Sequence, residues 1–185
     1  MSTPHTQPDL PPDRSKVLTE QRNPRTMYLH ALDVESIVAR IQDEDHAIHD
    51  AMAAARPALT ALISDAEPRF LRGGRIVYLG AGTSGRLGVL DASEAPPTFQ
   101  VEPGRVVGII AGGDSALRTS SEHKEDDVFG AREALTDLEP TDNDIVIGIA
   151  AGGTTPYPRG ALALAKAAAP GCLTALLSCS PTAPP

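Results

Sequence analysis

Two carboxylates and three loops of small, hydroxylated residues carry the chemistry available to this sequence. The acids are Glu94, in Asp91-Ala-Ser-Glu-Ala-Pro-Pro-Thr-Phe99, and Glu125, in Glu122-His-Lys-Glu-Asp-Asp127. A carboxylic acid can protonate a departing oxygen, and a carboxylate can take a proton from carbon; a pair held in different environments can divide these roles. Pro96 and Pro97 predict that the helix starting near Ser84 ends at Glu94. There the negative end of the helix dipole favours the protonated acid. Glu125 is expected in the early turns of a helix starting near Ser120 or Ser121, where the dipole favours the charged base. Glu122, Asp126 and Asp127 lie beside it, and helical phase against Val128, Ala131, Leu135 and Leu138 does not single it out. Taken alone, each acid reads first as a solvated surface group.

The loops follow three short apolar runs. After Leu79 comes Gly80-Ala-Gly82-Thr83-Ser84-Gly85, a literal G-x-G-x-x-G. After Ile110 comes Ala111-Gly-Gly-Asp114-Ser115, and after Ile149 comes Ala150-Ala-Gly152-Gly153-Thr154-Thr155. Each reads as a tight turn ending in two polar groups at a helix start. Glycines permit close backbone approach, and helix N-termini offer free N–H groups to an anion. Thr83, Ser84, Thr154 and Thr155 add neutral hydroxyl donors, which suits a phosphate held without Lys or Arg. A carboxylate repels phosphate, so Asp114 assigns the middle loop to sugar hydroxyls or to helix capping. A dinucleotide fingerprint wants an acid at the end of the second strand, about twenty residues on. That stretch here, Val101-Glu-Pro-Gly-Arg105, precedes the strand, and a hydroxyl-rich third loop has no role in that scheme.

The elements that must position these loops are legible in the apolar pattern. Residues 75–79, 106–110, 144–149 and 172–177 are β-branched, apolar on both faces and separated by helical stretches. This predicts a three-layer α/β/α domain on a parallel sheet over residues 73–185. Residues 18–72 read as a polar arm followed by two helices. Val34, Ile37, Val38 and Ile41 form the stripe of the first, and Ile48, Met52, Leu59, Leu62 and Ile63 that of the second, with Pro57 as a kink or break. The proline-rich residues 1–17 read as a disordered tail.

Composition excludes several classes. The 185-residue chain carries a net charge of −8 with no basic run, which disfavours nucleic-acid and anionic-membrane binding. Its mean hydropathy is −0.13. No apolar run reaches the ~18 residues of a spanning helix, and the start lacks a signal-type apolar region. Cys172 and Cys179 match no zinc or redox spacing and read as two reduced core thiols in the cytoplasm. His46 and His49, beside Asp45 and Asp50, read as a solvated helix face rather than a metal site, and His123 as a surface residue.

GGRIVYLGAGTSGRLGVLDASEAPPTF, IAGGDSAL…EHKEDD and DIVIGIAAGGTTPY resemble the N-acetylmuramic acid 6-phosphate etherase family, as do LTEQRNPRT and IQDED. The resemblance runs from Leu18 to about Pro181 and implies the sugar-isomerase (SIS) fold, preceded by N-terminal helices. It implies Glu94 as general acid and Glu125 as second catalytic glutamate. It also implies Gly82, Thr83, Ser84, Gly85, Gly152, Gly153, Thr154 and Thr155 at the phosphosugar, with no metal and no cofactor. The implied reaction removes D-lactate from the sugar's 3-ether and adds water, within amino-sugar and peptidoglycan recycling. A homodimer is implied because SIS proteins generally build sites between subunits. Many members read A-S-G-R-T-P-Y where this chain has Ala151-Gly-Gly-Thr-Thr-Pro-Tyr157. Members also continue beyond the point at which this chain stops, so residues 1–185 alone are expected to be marginally stable, to self-associate and to have little activity. An aldose–ketose phosphosugar isomerase and a non-catalytic phosphosugar sensor would use the same fold and loops.

Overall fold

The computed structural model describes residues 17–181; the tail read as disordered lies, but for Val17, outside the described residues. Four strands form one parallel sheet: β1 (Ile76–Gly80), β2 (Val106–Ile110), β3 (Ile145–Ile149) and β4 (Leu173–Leu177), in the order β2-β1-β3-β4. β1 is central, pairing Val77 with Val107 on one side and with Val146 on the other. Between the strands run α2 (Gly82–Phe99), α3 (Arg132–Leu138) and α4 (Pro156–Ala168).

Successive strand residues point to opposite faces, which fixes the layers. The backbone at Gly88 of α2 rests on Tyr78, while Gly148, the register partner of Leu79, faces Leu162 of α4. Thus α2 covers one face and α4 the other. α3 joins α4 there, with Leu135 in one apolar cluster with Val77, Leu79, Val146, Tyr157 and Ala161. This is the expected α/β/α arrangement. The crossovers leave β1 and β3 toward opposite faces, so the sheet's switch point lies between these two strands.

Several glycines are there for contact. A Cβ on Gly160 would drive into the Val128 carbonyl, so the segment before α3 lies directly on α4. Gly160→Ala is therefore expected to cost about 1–3 kcal/mol, as other overpacked cores do. Urea denaturation would read this; an unchanged midpoint would show that α4 can back away freely.

Asp144 ties the strand starts together. It is 1% exposed. Its carboxylate accepts from the Thr141 N–H at 2.7 Å, from the Arg75 N–H at 2.7 Å, and from Arg75 Nη2 and Nε at 2.7 and 3.1 Å. Arg75 also donates to the Leu138 and Glu139 carbonyls. Burial alone would push the Asp144 carboxyl up; the guanidinium and two backbone N–H groups outweigh it and hold it below the usual range.

Three helical expectations are corrected. The two N-terminal helices are one, α1 (Val34–Leu71), which continues without a break through Pro57 and Pro68. Ala53, Ala54 and Ala55 precede Pro57, and residues 51–58 are all exposed, so strong helix formers carry the chain and water can satisfy the freed carbonyl. α1 buries none of its residues. Its C-terminal end meets the sheet, where Arg69 Nη1 donates to the Asp142 and Gly171 carbonyls at 2.6 and 2.7 Å. Second, α2 continues past Glu94 through Pro96 and Pro97 to Phe99, and ends on left-handed Gln100, whose N–H donates to the Pro96 carbonyl. Third, residues 120–131 form no α-helix. A three-residue 3-10 turn, Glu122–Lys124, is followed by irregular chain. There the Asp127 side chain accepts the Phe129 N–H, a local bond that competes with helix formation.

Candidate functional site

The first and third loops flank the switch point. α2 begins at Gly82, with φ of +53°, a left-handed conformation that glycine adopts readily. Thr83 and Ser84 therefore lie in the first helical turn, where backbone N–H groups have no intrahelical partner. Gly85 seats that turn: a Cβ would come 2.6 Å from both the Gly80 carbonyl and the Ile110 side chain. On the neighbouring strand, Gly153 is buried with φ of +71°, and Thr154 and Thr155 are half-buried just before Pro156 opens α4. The structure thus brings Thr83, Ser84, Thr154 and Thr155 to the same edge of two adjacent strands.

The second loop departs from expectation. Gly112 and Gly113 both have positive φ, but only a 3-10 turn, Asp114–Leu117, follows, and Asp114 caps nothing with its side chain. Instead Asp114 lines a cavity of about 570 Å³ on the outer side of β2, with Lys124, Asp127, Glu133, Asp137 and Tyr157. Four carboxylates around one lysine make this a poor phosphate pocket. Burial, and then the nearby Asp127 carboxylate, push the Tyr157 phenol up to about 12, so it stays protonated.

Glu125 is half-buried, and its carbonyl accepts the Tyr157 N–H at 3.0 Å. That bond holds it beside the start of α4, at the third loop, although no helix dipole acts on it. Glu94 is elsewhere. It lies ten residues after Ser84, about 15 Å along the helix axis, and is exposed. α2 runs antiparallel to the strands, with Gly85 at the Gly80 level and Val89 over Gly108. Glu94 is thus carried toward the strand starts, and one copy of the chain does not bring the two acids together.

Sequence reasoning missed two neighbours of the third loop. Arg159, 5% exposed, donates from Nη1 to the Gly153 carbonyl at 3.2 Å, holding the loop from inside. Its signal was a single cation in the otherwise small and apolar Pro156-Tyr-Pro-Arg-Gly-Ala161. The arm also reaches the loop: a Cβ on Gly152 would meet Thr19 Oγ1 at 2.9 Å and Val17 at 3.0 Å. Nothing in the polarity of the arm announced this.

Among the described residues, no group of three His, Cys, Asp or Glu could hold a metal, and no helix is long and apolar enough to cross a membrane. His46 and His49 are exposed on α1, with His46 Nδ1 2.7 Å from the Gln42 carbonyl. Cys172 is buried, but Cys179 is exposed, so only one of the two thiols belongs to the core.

The sheet order, the covering helices and the loops at the switch point define a SIS domain, and the family model for the glucokinase regulatory protein N-terminal SIS domain matches residues 55–166. Three curated relatives named N-acetylmuramic acid 6-phosphate etherase align over most of the chain. The Caldanaerobacter subterraneus protein is 49% identical over 165 residues, covering 89% of this chain and 53% of the relative. The Synechococcus sp. protein is 49% identical over 177 residues, covering 95% and 55%. The Yersinia pestis protein is 48% identical over 168 residues, covering 91% and 56%. The chain belongs to the N-acetylmuramic acid 6-phosphate etherase family, and it spans about half the length of the curated relatives it matches.

Proposed function

We propose that the chain is a carbon–oxygen lyase acting on N-acetylmuramic acid 6-phosphate in the cytoplasm, as a homodimer and without metal or cofactor. The observation that carries this reading is the pair of hydroxyl-bearing helix starts on β1 and β3, in a chain of this family, with Glu125 at the second of them. Thr83, Ser84, Thr154 and Thr155 hold the 6-phosphate, with Gly82, Gly85, Gly152 and Gly153 letting the backbone approach it closely. The phosphate anchors the sugar away from the reacting atoms.

In the open-chain sugar, the C2 proton is α to the aldehyde. The Glu125 carboxylate takes that proton, the C–H electrons form a C2–C3 double bond, and the C3–O bond breaks. The departing ether oxygen takes the proton of Glu94 and leaves as D-lactate. Water then adds, hydroxyl to C3 and proton to C2, giving N-acetylglucosamine 6-phosphate. The purified chain with N-acetylmuramic acid 6-phosphate should therefore release D-lactate. Sugar isomerisation without lactate would favour the aldose–ketose alternative, and phosphosugar binding without turnover a sensor.

The loop assignment has its own check. Ser84→Ala is expected to weaken phosphosugar affinity by about 0.5–3 kcal/mol, one hydrogen bond to a charged group. Calorimetry with N-acetylglucosamine 6-phosphate and with the unphosphorylated sugar would read it. Equal losses for both ligands would show that the loop does not read phosphate.

A further inference from the structure

The cavity beside β2 lies outside the hydroxyl loops at the switch point, and the etherase chemistry gives it no work. Its space of about 570 Å³ is in the range of small-molecule sites. The charge around it is one-sided. Asp114 and Asp127 stand on its loop side, and Glu133 and Asp137 stand one turn apart on α3, four residues on one helix face. Lys124 is the one cation on the wall among the described residues, and it forms no ion pair with any of the four carboxylates.

Exposed acids by themselves are ordinary solvated surface. Tyr157 sets this wall apart. It is 2% exposed, and the little of it that stays accessible opens onto the cavity. Buried tyrosine hydroxyls normally find a hydrogen-bond partner. This phenol has none among the described residues. Beside it, Asp127 Oδ1 accepts the Phe129 N–H at 3.0 Å, while Oδ2 accepts from none of the described residues. Gly130 keeps the gap between the two groups open: a Cβ there would stand 3.1 Å from Tyr157 Cδ2 and 3.2 Å from Asp127 Oδ2.

These groups call for positive charge carried on hydrogen-bond donors. A phosphate or a carboxylate would meet four like charges. Among the described residues, the acids are not gathered closely enough to hold a metal ion. An ammonium group has three donors, enough to reach Asp127 Oδ2 and the phenol oxygen together. The acids of α3 form a second place for such a group, and Ile109 and Ala134 on the same wall offer apolar surface to the carbons joining the two.

We propose that this cavity binds a small aliphatic diamine, with one ammonium on Asp127 and Tyr157 and the other on Glu133 and Asp137. The proposal does not depend on the etherase reading.

The test titrates the 185-residue chain with putrescine, a four-carbon diamine, by calorimetry at low salt. One diamine should bind per chain, and butylamine, with a single ammonium, should bind more weakly. Tyr157→Phe should weaken putrescine binding about tenfold, the usual worth of a hydrogen bond to a charged group. Because the hydroxyl it removes has no partner, that variant should melt no lower than the original chain. Glu133→Gln combined with Asp137→Asn alters only exposed residues, so the fold is kept, and it should weaken binding by at least as much. Asp43→Asn combined with Asp50→Asn removes the same charge from the exposed surface of α1 and should leave the affinity nearly unchanged, because distant surface charges are screened. Three results would overturn the site: no binding by the original chain, undiminished affinity in Tyr157→Phe, or equal losses in the α1 and α3 pairs. The last would reduce the effect to the general attraction of an acidic chain for cations.

Discussion

Asp144→Ala is expected to lower the unfolding free energy by about 3–5 kcal/mol, the cost of breaking a buried ion pair from one side. The carboxylate is almost wholly enclosed, and it organises the Thr141 and Arg75 N–H groups as well as the guanidinium. Removing it strands three sets of donors where β1 and β3 begin. The loss follows pH in a defined direction. The folded-state carboxyl is held below its ordinary value, so the stabilisation is complete above the unfolded value of about 3.9 and is lost as pH falls through the lower, folded one. Chemical denaturation between pH 7 and pH 3 should show the original chain converging on Asp144→Asn as acid is added. A constant gap between them would mean that the charge on Asp144 is not what stabilises the strand starts.

Glu94→Gln should lower lactate release by about 10²–10⁴-fold, the usual contribution of a positioned general acid. The amide keeps the shape of the side chain but has no proton to give. Because Glu94 is remote from the hydroxyl loops of its own copy, affinity for N-acetylglucosamine 6-phosphate should stay nearly unchanged. Glu125→Gln should instead stop deuterium uptake at C2 from heavy water, since abstraction precedes loss of the ether. Turnover by Glu94→Gln at the original rate would remove Glu94 from the chemistry. Persistence of exchange in Glu125→Gln, with its loss in a variant of Asp126 or Asp127, would move the base to a neighbouring carboxylate.

The parts of the molecule legible in the sequence are those fixed by short-range chemistry. Ile-Val-Tyr-Leu and Ile-Val-Ile-Gly-Ile are β-branched and apolar on both faces, and they can be little other than buried parallel strands. The glycine and hydroxyl runs after them announced two of the three helix starts. What failed depended on context. Pro57 looked like a kink or break and Pro96 and Pro97 like a helix end, yet all sit inside continuous helices; Pro57 and Pro97 are exposed and Pro96 is half-buried. The acids from Glu122 to Asp127 looked like a helical first turn, but Asp127 bonds locally and Glu125 is held through its carbonyl by Tyr157, 32 residues on. The hold of Arg159 on Gly153 was equally hidden, because a lone arginine beside small residues shows its charge but not the direction of its side chain.

The length of α1 has a consequence for motion. At 38 residues it extends about 57 Å, and its last turns are fastened to the sheet through Arg69. Near its start, the Glu44 carboxylate takes Asn23 Nδ2 at 2.7 Å and Arg25 Nη2 at 2.8 Å, ties to the arm rather than to the core. In a single copy, amide protons along this helix should therefore trade with solvent in a gradient. They should be fast from Val34 to Arg56, where opening a turn releases at most the ties of Glu44 to the arm, and progressively slower toward Leu71, where opening must also release Arg69 from two carbonyls. Pro57 has no amide proton of its own and leaves the Ala53 carbonyl without its helical donor, so the change of slope should fall at that point along the rod.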